Sequence, residues 1–128
     1  MNITEFFTLL GAKLNNQRTS WGGVTSNGTL ILKAGTIDFA GNRLWVANTQ
    51  PKGHGDVERT KQILQAITEQ HPVYAVKCKV ERNSKGEEVV TQFDKRELLR
   101  IENIILVDDC YYGTVTGKVP AMQVRSRA

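Results

Sequence analysis

Ile3, Phe6, Phe7, Leu10 and Leu14 recur at the spacing of one helical face, yet the helix they mark is too short to stand by itself. Its phenylalanines therefore need a sheet to pack on. Asn2 followed by Glu5 predicts a capping box at its start, and Gly11 predicts its end. This pairing of a short apolar helix with a required sheet constrains everything that follows. The next segments supply the sheet. Trp21–Thr25 and Thr29–Lys33 flank Ser26-Asn27-Gly28, where Asn-Gly predicts a type I′ hairpin. A second hairpin is predicted at Ala40-Gly41-Asn42, leading into Arg43–Ala47.

Thr49–Gly55 reads as a loop, and Asp56 as the N-cap of a second helix, Val57–Gln70, with Ile63, Leu64 and Ile67 as its apolar face. His71-Pro72 ends it. Tyr74, Val76, Cys78 and Val80 then alternate with Ala75, Lys77, Lys79 and Glu81, the clearest period-two pattern in the chain. Arg82–Gly86 predicts a turn, with Glu88–Phe93 pairing back. Asp94–Arg100 reads as a single helical turn capped by Asp94. Asn103–Val107 is apolar enough to predict the sheet centre, and Asp108-Asp109 turns it into Cys110–Thr116. The order is helix, three strands, helix, then three or four strands. We therefore expect an α+β fold: a single strongly twisted or barrel-like antiparallel sheet with two packed helices. At 128 residues the chain fits one domain, residues 1–119, with a flexible C-terminal tail, 120–128, that exposes Arg125 and Arg127.

Charge is uneven along the chain. Residues 1–55 hold five basic side chains and two acidic ones, whereas residues 56–128 hold twelve and eleven. A positive section favours a polyanionic partner. No apolar run reaches the roughly 18 residues of a membrane span, and Glu5 replaces the basic start of a signal peptide. A cytoplasmic location is expected, with no membrane partner. Cys78 and Cys110 lie outside any paired-ligand spacing and read as free thiols.

Catalytic signatures are sparse: the chain has no GxSxG, P-loop, HExxH or GxGxxG. We assign no catalytic residue, metal ligand or cofactor, and the balance leans away from an enzyme. The binding pattern is richer. Arg18, Lys33, Arg43 and Lys52 can neutralise phosphates, Trp21 and Trp45 can stack on bases, and Ser20 and His54 can supply hydrogen bonds. Gly22 and Gly23 would let backbone approach a ligand. Each tryptophan can instead serve the core, Trp21 more readily than Trp45.

Phe6-Phe7-Thr8-Leu9-Leu10-Gly11, Leu14-Asn15-Asn16-Gln17-Arg18 and Ser20-Trp21-Gly22 together resemble the opening of small bacterial and phage proteins, domains found alone or beside HNH-type restriction endonuclease modules. Gly53-His54-Gly55-Asp56-Val57-Glu58-Arg59 and the strand Tyr74–Val80 resemble later segments of that group, and the likeness covers about two thirds of the chain. It implies a DNA-binding or defence-associated accessory domain that binds and does not cut. Where the group continues its second strand with arginine and tryptophan, this chain has Lys33 and Gly35, which alters any site built on that aromatic. The leading expectation is a nucleic-acid-binding module of a restriction or counter-defence context, reading a modified base in an aromatic-lined pocket. The alternative is a protein-interaction or inhibitor domain without nucleic acid. A small hydrolase using His54 with Asp56 or Glu58 is the third reading.

Overall fold

Helix α1 spans Ile3–Leu9 in the computed structural model, which describes residues 1–125. Its capping box is complete: Glu5 N–H donates to Asn2 Oδ1 at 2.8 Å, and Asn2 N–H donates to Glu5 Oε1 at 3.2 Å. The chain continues through strands β1 (Gly22–Val24) and β2 (Leu30–Gly35), a 3-10 turn (Thr36–Asp38), β3 (Phe39–Ala40) and β4 (Arg43–Asn48). Helix α2 (His54–Glu69) follows, then β5 (Val73–Arg82), β6 (Glu88–Phe93), β7 (Glu97–Val107), β8 (Cys110–Pro120) and α3 (Ala121–Val124).

The fold is α+β, with all eight strands in one twisted, open sheet of order β1-β2-β5-β7-β8-β4-β3, and β6 added on β5. The expected sheet was wholly antiparallel. The actual one is mixed, because β2 and β5 run parallel from Leu30↔Val73 to Gly35↔Cys78. Parallel pairing needs a crossover and cover on both faces. Here α2 is the element leading into β5. Leu30, Leu32 and Ala34 pack with Ile63 and Ala66 of α2, while Ile31 packs with Phe6 and Phe7 of α1. Every residue of β2 is buried, including Lys33.

Several local expectations change for identifiable reasons. The first hairpin is not type I′: among Ser26, Asn27 and Gly28 only Gly28 has positive φ (89°), and Gly28 N–H donates to Thr25 O. This is a three-residue loop that needs one left-handed residue, not two. Helix α2 starts three residues earlier than Val57, at His54, with Gly53 as N-cap at φ 83° and no side-chain cap. Asp56 sits inside the first turn. The inward face of α2 is more polar than expected: Arg59, Thr60 and Gln62 are buried beside Ile63, whereas Leu64 and Ile67 are exposed. Gln62 and Thr60 are admitted because they donate to Gly22 O (3.2 Å) and Asn48 O (2.9 Å).

Asp94–Arg100 is not helical. Asp94 Oδ1 accepts from Arg96 N–H and Glu97 N–H, a turn that mimics a helix cap, and the chain leaves it as β7. Nor is Asn103–Val107 the sheet centre. Pairing of β7 with β5 stops at Ile101, Asn103 adopts φ 54°, and the β7–β8 arm runs on with Ile105 and Leu106 each 55% exposed. The tail expected from Pro120 begins with the turn α3, where Ala121 is buried and its N–H donates to Arg96 O. Residues 126–128, with Arg127, lie outside the described residues. Both cysteines are free.

Candidate functional site

Two loops distant in sequence meet at the start of α2. Asn16 organises the first of them: its Oδ1 accepts from Arg18 N–H and Thr19 N–H, and its carbonyl accepts from Ser20 N–H. Ser20 returns the favour, its Oγ accepting from Asn16 N–H at 2.9 Å. Asn15 Nδ2 donates to Glu58 Oε2 at 2.9 Å, tying this loop to α2. Gly55 lets them touch, since a Cβ there would overlap the Thr19 carbonyl oxygen and stand 3.3 Å from Trp21 Cδ1.

The junction borders a cleft of about 660 Å³. Arg18, Ser20, Trp21, Lys33, Lys52 and His54 all line it, so six of the eight candidate residues converge. Arg18, Lys52 and His54 are exposed at the rim. Lys33 forms a deeper wall at 8% exposure, its ammonium 6.0 Å from the centre of the Trp21 ring. Burial holds the Lys33 pKa below the ordinary lysine value, opposed by Cys78. The Cys78 thiol is itself pushed up to about 11 by burial. Ser20 is 2% exposed and serves the loop's own hydrogen bonding, so its role is largely architectural.

Two candidates fall elsewhere. Arg43 lies outside the cleft, its guanidinium 3.8 Å above the Tyr112 ring. Trp45 lines an adjoining recess of about 690 Å³ that shares Trp21, Asp56, Val80 and Glu88 with the first. The glycines after Trp21 also differ from expectation. A Cβ on Gly23 would overlap the Ala12 carbonyl, and one on Gly22 would stand 2.8 Å from Leu32 Cδ2, so the protein itself fills that space.

Arg59 is the residue that sequence reasoning missed. It is 6% exposed, and its guanidinium lies between the two tryptophans, 4.4 Å from the Trp45 ring and 5.1 Å from Trp21. Asp56 Oδ1 accepts from its Nη2 at 2.6 Å, while its buried Nε has no partner among the described residues. The i, i+3 spacing of Asp56 and Arg59 was visible in the chain, but nothing local linked it to Trp21 and Trp45. With an arginine between them, the rings form a cation–π stack, not a vacant slot for a base. Trp45 Nε1 is committed as well, donating to Asn48 Oδ1 at 3.1 Å.

His54 is the first residue of α2, and its side chain makes no hydrogen bond or ion pair among the described residues. Of the carboxylates that might orient it, Asp56 Oδ1 is held by Arg59 and Glu58 Oε2 by Asn15, while Glu58 Oε1 is buried without a hydrogen-bond partner among the described residues. No group of three or more His, Cys, Asp or Glu among the described residues could hold a metal ion. No helix among them is long and apolar enough to cross a membrane.

Asp38 borders the second recess, and burial raises its pKa above the ordinary 3.8, opposed by the Gly35 N–H it accepts at 3.2 Å and by Arg59. An acid with a raised folded pKa is more protonated folded than unfolded, so its charge begins to cost stability as pH rises through the unfolded value of 3.8, and the full cost is present above the folded pKa. Asp38→Asn, whose amide oxygen can keep the Gly35 bond, should therefore stabilise slightly at pH 7, the gain being reduced by solvent screening at this half-buried site. The gain should vanish well below pH 3.8, where both states are protonated. Urea midpoints of both proteins across that range test it; a gain persisting at low pH would contradict the assignment.

Comparison with protein-family models, curated proteins and solved structures gave no match to this chain.

Proposed function

We propose that the cleft between the Arg18 loop and the α2 N-terminus binds nucleic acid, and that the protein is a nucleic-acid-binding module, cytoplasmic, of a restriction or counter-defence setting. One observation carries this reading: three segments far apart in sequence bring Arg18, Lys33, Lys52, His54 and Trp21 to one cleft. The volume suits a nucleotide-sized group, within the range of small-molecule pockets. Trp21 is the wall against which a base, modified or not, would lie, while Trp45 holds Arg59. Arg18 and Lys52 would meet phosphates at the rim. The resemblance to domains found beside HNH modules points the same way.

The test is a titration of labelled single-stranded and duplex DNA at 50 and 200 mM salt. The two rim phosphate contacts, at Arg18 and Lys52, predict an affinity loss on duplex DNA of about 12-fold across that range. Absence of binding at low salt, or insensitivity to salt, would remove the proposal. A protein partner is the second reading, supported by exposed Ile105 and Leu106 on the projecting β7–β8 arm.

A further inference from the structure

Lys33 is an unusual residue to find in the middle of β2. A lysine at 8% exposure ordinarily has a carboxylate beside it. Among the described residues Lys33 has no ion pair and its ammonium no hydrogen bond; the nearest compensation is the Trp21 ring at 6.0 Å. Its side chain nevertheless reaches the cleft wall. The same cleft receives the start of α2, a 16-residue helix without a side-chain cap. Trp21 links the two, lying near the Lys33 ammonium on one side and against Gly55 on the other. A desolvated cation and a helix start without a side-chain cap thus line one cleft, which also holds the carboxylates of Asp56, Glu87 and Glu88. An anion bound there would be favoured by both the ammonium and the helix N-terminus.

The depth of Lys33 says what sort of anion. A phosphodiester within a strand carries one charge and a sugar on either side, and it fits the exposed rim at Arg18 and Lys52. A terminal phosphate carries up to two charges and projects freely, so it can enter to a buried ammonium. We propose that Lys33 and the first turn of α2 form a pocket for a terminal phosphomonoester, carried by a strand end or a free nucleotide. For strand ends this rests on the nucleic-acid reading above.

The experiment follows tryptophan fluorescence of the full chain during titration with one single-stranded DNA oligonucleotide in three forms: 5′-phosphorylated, 3′-phosphorylated and unphosphorylated. Adenosine monophosphate, adenosine and inorganic phosphate are titrated alongside. At least one phosphorylated strand should bind about 10-fold more tightly than the unphosphorylated one, and Lys33→Met should remove that preference. Arg18→Ala should weaken all three strands alike and keep the preference. Equal binding of the three strands would overturn the pocket and leave the nucleic-acid reading standing. A preference that survives in Lys33→Met, with its fold verified by circular dichroism, would also overturn it. Binding of the monophosphate but not adenosine, with no strand bound, would support the pocket and remove the nucleic-acid reading. No binding of any probe overturns both.

Discussion

Lys33→Met should make the protein more stable and a poorer binder at the same time. Burial disfavours the charged ammonium, and no carboxylate among the described residues offsets that cost. Methionine has similar length and no charge, so it should stabilise by about 1 kcal/mol at pH 7, or roughly 4 °C in Tm. The sign with pH is determined by the lowered pKa. Below the folded pKa both states are protonated and the full cost is present. As pH rises through the folded pKa toward 10.5, the folded state loses its proton first, and stability recovers. The advantage of methionine should therefore be largest at neutral pH and shrink above it. Cys78 is the titratable neighbour to watch, because its own pKa of about 11 lies just beyond this window. Denaturant midpoints at pH 7 and 10, read beside the DNA titration, test both halves. A variant that is less stable at pH 7 would show that Lys33 serves the fold and not a ligand.

Gly55→Ala should behave opposite to an ordinary glycine in a helix. Replacing a helical glycine by alanine generally stabilises by about 0.5–1 kcal/mol. At Gly55 the new methyl would overlap the Thr19 carbonyl oxygen, a backbone atom held in place by the Asn16 hydrogen bonds. Either α2 or the 15–20 loop must withdraw, and the expected cost is about 2–3 kcal/mol. Withdrawal also separates Arg18 and Trp21 from His54. DNA affinity should fall by more than 10-fold, even at temperatures where the variant remains folded. Thermal melts and the same titration decide the matter. A stabilised variant with intact binding would mean that the two loops do not form one site.

Much of the local structure was legible because it depends on neighbours in sequence. The Asn2–Glu5 capping box, the Phe6/Phe7 stripe and the alternation from Tyr74 to Val80 all report contacts within a few residues or one repeated face. The misread elements share a cause. Asp94 uses the same oxygen geometry for a turn that a helix cap uses, so the local signal is ambiguous. Asn103–Val107 is apolar but lies where β5 no longer supplies a neighbour, and hydropathy alone does not reveal where pairing stops. The site divides in the same way. The residue types at Arg18, Trp21, Lys52 and His54 mark a binding surface, yet Arg59 between two tryptophans depends on a helix, a strand and a loop edge meeting.

The α+β class, the two principal helices and the composition of the loops around Arg18 and His54 follow from the order of residues alone. The tertiary structure alone decided that β2 and β5 run parallel, that Lys33 is buried without a carboxylate, and that Gly55 brings the two loops into contact. The physical reason is range. Caps, turns and periodicity are energies of neighbouring residues, whereas burial and desolvation depend on which distant segments the sheet brings together.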